Sequence, residues 1–153
     1  MSKSQHKIAD PTAPPLWSVR FAVALLLVVA GIAWIAYYYV AVRPDPTAFP
    51  PVEGSPKAIA DLGNWNYLIG FGALMLGLAV SAHPATPLGR GRGVVVGMLG
   101  CFLIGLIWIC IFYIFLTGND PKDIPIFNDL GQKNLFVGIA FMAVGFTFAT
   151  RWE

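Results

Sequence analysis

The sequence predicts an all-α membrane protein whose four transmembrane helices form two parallel-repeat helical hairpins. Three observations point there: a composition too apolar for water, four long stretches without charge, and an internal repeat. Apolar residues make up 57% of the 153 and charged residues 12%, about half the ~25% typical of a soluble domain. No charge falls between Arg20 and Arg43, Asp61 and Arg90, Arg92 and Asp120, or Lys133 and Arg151; these gaps hold 94 residues. A soluble fold of this size would leave much of that sequence facing water. A bilayer accommodates it, since a spanning helix needs roughly 17–25 mostly apolar residues.

The elements follow in order. Residues 1–16 are polar and proline-rich, as expected of a disordered cytoplasmic tail. The first span is expected at residues 21–42. It is longer than a signal-peptide core and ends in three tyrosines and Arg43-Pro44 rather than a small-residue cleavage site, so it reads as a retained anchor. Residues 43–63 hold five prolines and read as an irregular loop. The second span is expected at 65–82, a cytoplasmic link at 83–93, the third span at 94–116, and a second Asp- and Pro-containing loop at 117–133. The fourth span is expected at 134–150. Domain organisation is therefore tail (1–16), first hairpin (17–82), link (83–93) and second hairpin (94–153).

Orientation follows from Lys and Arg near the span ends. The side of the N-terminus carries Lys3, Lys7, Arg20, Arg90, Arg92 and Arg151, against Arg43, Lys57, Lys122 and Lys133 opposite. Most carboxylates lie with the smaller set. An even number of spans then places both termini in the cytoplasm, with Trp17 and Trp152 at one interface and Tyr37–Tyr39 and Trp65 at the other.

The repeat is legible by offset. Gly31-Ile32-Ala33-Trp34-Ile35 and Tyr39 match Gly105-Leu106-Ile107-Trp108-Ile109 and Tyr113 at 74. Asp61-Leu62-Gly63, Asn66, Gly70 and Gly77 match Asp129-Leu130-Gly131, Asn134, Gly138 and Gly145 at 68. Each unit has two spans, so both copies enter the membrane in the same direction, related by an axis along its normal.

Several residues stand out within this frame. Gly70, Gly77 and Ser81, and likewise Gly138, Gly145 and Ala149, are spaced by seven and four. At about 100° per residue each triplet lies within about 40° on one face. Small residues let helices in lipid approach closely, so these are expected helix-packing positions; glycine is also simply common in membrane helices. Whether the packing partner is internal or another protein stays open. Trp34 and Trp108 sit past the middle of their spans, where an indole N–H needs an acceptor; a backbone carbonyl beside a glycine stripe would serve, and lipid-facing bulk is the plainer reading. Asn66 and Asn134 at the starts of the short helices read as caps or interfacial hydrogen-bonding groups. Together with Trp65 these four are the candidate partner contacts.

Other function classes find little support. A net charge of +2 gives no nucleic-acid-binding field. Cys101 and Cys110, nine positions apart, lie on opposite helix faces and read as small buried hydrophobes. His6 and His83 have no ligands at metal spacing, so neither metal nor cofactor is expected. The Gly89-Arg90-Gly91-Arg92-Gly93 turn lacks a phosphate-loop ending and reads as a positive-inside turn near lipid headgroups. No span carries a charge or histidine at depth for a proton or ion path, and no nucleophile stands beside a base. The chain is expected not to be an enzyme.

The stretch Leu103–Ile114, then Asp129-Leu130-Gly131, Asn134, Gly138, Gly145 and Thr150-Arg151-Trp152, resembles the CrgA cell-division proteins of actinobacteria. The first half carries the pattern more loosely, with Leu62-Gly63-Asn64-Trp65-Asn66 nearest the family's Leu-Gly-x-Trp-Asn element. CrgA proteins have two spans, so this chain resembles a tandem duplication, with Lys133 where the first copy keeps Trp65. The resemblance implies a non-enzymatic membrane scaffold or regulator of septum formation, concentrated at the septum. Implied partners are divisome proteins, including the tubulin-like ring protein and septal peptidoglycan transpeptidases, besides membrane lipids. A small channel or transporter, and an accessory subunit of a larger membrane complex, are the alternatives. The sequence does not decide between a monomer and a homo-oligomer.

Overall fold

The computed structural model describes residues 15, 17–45, 47–117 and 123–151, and among these every regular element is helical. Helix α1 (Val19–Tyr37) starts at Ser18, whose hydroxyl accepts from the Phe21 N–H at 3.1 Å, satisfying one of the free donors of a helix start. It continues as a π turn over Tyr38–Val42 and stops at Arg43, before Pro44. A proline disfavours helical geometry in the residue before it. Helix α2 (Lys57–Ala60) is one turn, and α3 (Trp65–Ser81) ends three residues before Pro84. Helix α4 (Arg92–Ile111) again passes into a π turn, Phe112–Leu116. Helix α5 (Phe127–Leu130) is one turn, followed by a 3-10 turn at Gly131–Lys133 and by α6 (Asn134–Ala149). The two π turns are equivalent at the offset of 74, so the repeat extends to how each long helix ends.

Two expectations change. Neither loop is wholly irregular: α2 and α5 fall inside segments whose prolines suggested no helix. An Asp-Leu-Gly sequence follows α2 and closes α5, and its glycine has positive φ, Gly63 at 51° and Gly131 at 50°. Gly131 pairs this φ with ψ −127°, a combination closed to side chains with a Cβ. That steric demand gives the recurring Asp-Leu-Gly its third residue. The expected tail, with Lys3, His6 and Lys7, lies outside the described residues except for Pro15, as do Lys122 and Trp152.

Among the described residues three helical segments are long and apolar enough to cross a membrane: Val19–Val42, Arg92–Leu116 and Phe127–Ala149; the apolar helix Trp65–Ser81 is shorter. Their outward faces suit hydrocarbon. Leu26, Val29 and Ile32 on α1, and Leu103, Leu106 and Ile107 on α4, are all more than half exposed.

Helix α1 packs on α3 and α4 on α6, and glycine sets the closeness of both pairs. A Cβ on Gly31 would stand 2.6 Å from the Gly70 carbonyl oxygen, and one on Gly105 2.6 Å from that of Gly138. A Cβ on Gly70 would meet Ile35 Cγ1 at 2.4 Å, and one on Gly138 Ile109 Cγ1 at 2.4 Å. In this structure the small-residue stripes are filled from within each hairpin. The ridge is not uniform: Gly77 faces the backbone of Ala24 and Val28 at 2.8 Å, whereas Gly145 stands 3.3 Å from Met98 O and the Phe102 ring. Ser81 is buried and donates to Leu78 O at 2.6 Å; Ala149 is half-buried.

The hairpins meet mainly through α3 and α6. Tyr67, Phe71 and Leu74 join Leu130, Val137 and Phe141 in one core, and a second centres on Val94, Cys101, Val144 and Phe148. Phe148 is fully enclosed because Gly97 leaves room for its ring. Cys110, expected to be buried, is exposed.

Candidate interaction site along the seam between the hairpins

At the loop end of the seam, the second hairpin presents one carboxylate that the first hairpin surrounds. Asp129, in α5, meets Arg43 Nη1 at 2.5 Å through Oδ1 and accepts from the Tyr67 hydroxyl at 2.5 Å through Oδ2. Its backbone oxygen accepts from Asn64 Nδ2 at 3.2 Å. Arg43 also lies over the Tyr39 ring, 4.4 Å from its centroid, and Tyr38 packs edge-on to Tyr67 at 5.1 Å. The carboxylate raises the Arg43 pKa chiefly through their hydrogen bond. The ion pair is about one-fifth exposed. It belongs to the class of partly buried, bonded pairs, which contribute more than a solvated surface pair.

This clamp was invisible to residue spacing. Arg43 and Asp129 are 86 positions apart, and Asp129 drew attention only as a repeat anchor. Its equivalent, Asp61, is exposed. The positions equivalent to Arg43, Asn64 and Tyr67 are Thr117, Gln132 and Leu135, which cannot reproduce an ion pair.

Behind the clamp, each hairpin has an asparagine staple. Asn66 Nδ2 donates to Ile59 O at 2.8 Å and Gly63 O at 3.0 Å; Asn134 Nδ2 donates to Phe127 O at 2.8 Å and Gly131 O at 2.8 Å. Both asparagines are fully buried. Of the two expected roles, cap or interfacial hydrogen-bonding group, they do not cap α3 and α6 by accepting from helix N–H groups; they turn back and hold the carbonyls of the preceding loop. Each of these carbonyls also accepts a backbone N–H, from Leu62, Asn66, Gly131 and Asn134 in turn, so the amide adds a second donor that ties the loop to the helix start.

The tryptophans diverge. Trp108 Nε1 donates to Asn134 Oδ1 at 3.2 Å, and its ring stacks on Phe127 at 4.2 Å and meets Phe71 edge-on at 5.5 Å. Its acceptor is therefore a side-chain amide, not the expected backbone carbonyl beside a glycine stripe. In the first hairpin neither equivalent atom is paired: Trp34 Nε1 and Asn66 Oδ1 are both buried without a partner. The residues equivalent to Phe127, Phe141 and Phe71 are Ile59, Ala73 and Ile139, so Trp34 lacks the aromatic wall that fixes Trp108.

An apolar groove of about 520 Å³ runs between α3 and α6. Trp65 and Lys133, Leu68 and Phe136, and Gly72 and Ala140 line it, and each of these is a pair of equivalents at the offset of 68. Of the five candidate partner contacts, Trp65 alone is exposed; Trp34 and Trp108 are half-buried and the asparagines enclosed. Gly31, Gly105 and Gly97 also shape the interior. The first two were legible as repeat anchors, but their packing role needed the facing helix.

Among the described residues no His, Cys, Asp and Glu cluster could hold a metal ion. No solved structure matches the chain. Curated relatives do. The cell division protein CrgA of Streptomyces avermitilis is 43% identical over 56 residues, 37% of this chain and 60% of its own length. That of Mycobacterium sp. (strain KMS) is 37% identical over 59 residues, covering 36% and 61%. That of Mycobacterium tuberculosis (strain H37Ra) is 34% identical over 56 residues, covering 36% and 60%. The chain thus spans about three-fifths of the length of these relatives. The family model described as Cell division protein CrgA matches residues 1–83 and then residues 87–153. With the equivalent π turns, glycine contacts and asparagine staples, this double match makes the chain a tandemly duplicated member of the CrgA family.

Proposed function

We propose that the chain is a four-span, non-enzymatic membrane scaffold of cell division, two CrgA-like hairpins working as one unit. The observation that carries this reading is the double family match joined to a seam in which one hairpin grips Asp129 of the other. Helix α3, though short, is the equivalent of α6, and its 17 residues reach the lower end of spanning length. The boundaries are tail 1–16, hairpins 17–82 and 94–153, and link 83–93. The Lys and Arg distribution puts both termini and the link in the cytoplasm. The tail then faces the tubulin-like ring protein, and Trp65 faces septal transpeptidases within or above the membrane. The chain concentrates at the septum and couples the ring to wall synthesis.

A deletion strain complemented with fluorescent wild type, a variant lacking residues 1–14 and Trp65→Ala tests this. Septum spacing and fusion position are scored through a division cycle. Wild type should gather at nascent septa, the tail deletion should lose ring-linked recruitment, and Trp65→Ala should localise but space septa abnormally. Uniform membrane fluorescence, with normal septa in the deletion strain, would overturn the division role and favour an accessory subunit of another membrane complex.

A further inference from the structure

At the link end of the same seam, opposite the Asp129 clamp, positive charge gathers. A cleft of about 660 Å³ between α3 and α6 is lined by Arg20, His83 and Arg151 together with the apolar Val80 and Phe146. The three polar residues come from α1, the link and the segment after α6, so the tertiary fold assembles them. Among the described residues neither arginine has a carboxylate partner.

His83 and Arg20 are fixed against each other there. The Ala85 N–H points at His83 Nδ1 at 3.0 Å, while Arg20 Nη1 lies 2.8 Å from Nε2 and 3.3 Å from Nδ1. A neutral imidazole has one ring nitrogen free to accept and the other carrying hydrogen. Nδ1 accepts from the Ala85 N–H, and a guanidinium nitrogen that close to both ring nitrogens lies against the face of the imidazole, so the ring positions Arg20 at the cleft. Burial first, then Arg20 and Arg151, lower the pKa of His83, consistent with a locally positive field. Clustered positive charge beside the apolar Val80 and Phe146 describes a site for an anion with a hydrocarbon continuation.

We infer that the cleft formed by Arg20, His83 and Arg151 binds the phosphate of an anionic phospholipid, whose acyl chain follows Val80 and Phe146 along the seam. The anion supplies a counter-charge to the two guanidinium groups and the chain lies against the apolar residues. A volume of about 660 Å³ lies in the usual range for small-molecule sites, roughly 300–1,000 Å³, and basic pockets between membrane helices suit such headgroups. This requires that the chain be embedded in a membrane, and does not require a role in division.

The full chain is reconstituted in nanodiscs of phosphatidylcholine alone, or mixed with phosphatidylglycerol. Thermal unfolding is followed, and bound lipid is counted by native mass spectrometry. Phosphatidylglycerol should raise the unfolding temperature and remain bound. Arg20→Gln and Arg151→Gln should each weaken its retention about five-fold, the effect expected of one basic residue near anionic lipid. Lys57→Gln, on the far loop, should leave it unchanged. Inorganic phosphate added to the detergent-solubilised protein should give a smaller stabilisation than phosphatidylglycerol. Arg151→Gln lies past the end of α6 and preserves the helices, so its far-ultraviolet circular dichroism should match wild type and keep the comparison valid. Equal retention of both lipids by wild type, or wild-type retention in the Arg20→Gln/Arg151→Gln double variant, would overturn the site. Stabilisation by phosphate equal to that by phosphatidylglycerol would overturn the lipid as its occupant.

Discussion

The two hairpins share a skeleton and differ in how they satisfy their polar groups. Both use a glycine pair to bring helices together, a positive-φ glycine to close the Asp-Leu-Gly turn and an asparagine to hold the loop carbonyls. In the second hairpin the indole of Trp108 completes the asparagine's bonding and is walled by aromatic rings; in the first, Trp34 Nε1 and Asn66 Oδ1 stay unpaired. The first hairpin instead directs Arg43, Asn64 and Tyr67 across the seam to Asp129. Duplication thus kept the packing code twice and split the polar code. One copy closes on itself, and the other closes on its neighbour.

The shared packing code should give the largest effects. Gly31→Leu and Gly105→Leu each force a side chain into facing backbone at 2.6 Å, and each should cost about 3 kcal/mol or more, at or beyond the usual overpacking range. The milder Gly77→Ala should cost about 1–3 kcal/mol and Gly145→Ala less than about 1 kcal/mol, because the second meets its neighbours only at 3.3 Å. Denaturant unfolding in detergent measures both pairs. Equal costs for Gly77→Ala and Gly145→Ala would erase that difference between the hairpins.

The seam comes next. Asp129→Ala leaves the Arg43 guanidinium and Tyr67 hydroxyl without their acceptor and should cost about 1–3 kcal/mol. Asp61→Ala at the equivalent, exposed position should stay within about 0.5 kcal/mol. A loss from Asp61→Ala as large as that from Asp129→Ala would mean that the hairpins are held symmetrically.

The indoles give the smallest contrast. Trp108→Phe removes a hydrogen bond and should cost about 1 kcal/mol beyond its change in packing. Trp34→Phe removes a buried donor with no partner and should be neutral or stabilising once the same packing change is subtracted. The indole N–H resonances offer a second readout: Asn134→Ala should shift that of Trp108, while Asn66→Ala should move that of Trp34 little.

Sequence alone revealed the helices because lipid demands long runs without charge, and that demand is local. It revealed the repeat because Gly, Trp, Asp and Asn recur at fixed offsets. The stripes of Gly70, Gly77, Gly138 and Gly145 were legible because helical period turns spacing into a face. The facing Gly31 and Gly105 were not read as contacts, since a glycine matters there only for what lies opposite. Loop helices α2 and α5 were hidden by neighbouring prolines, and the direction of the Asn66 and Asn134 bonds by the fact that an amide both donates and accepts. Arg43 and Asp129 lie in different copies, so their pairing depends on how the hairpins dock. Local pattern carries no information about that.

The claim that the two copies form one unit through an asymmetric clamp is tested most directly by a double-mutant cycle on Arg43→Gln and Asp129→Asn. Unfolding free energies are measured in detergent or bicelles for wild type, both single variants and the double variant. With the pair bonded at 2.5 Å and about one-fifth exposed, the account predicts a coupling of about 1 kcal/mol or more. Costs that add to within about 0.3 kcal/mol would contradict it, because the two hairpins would then share a seam without the ion pair that joins them.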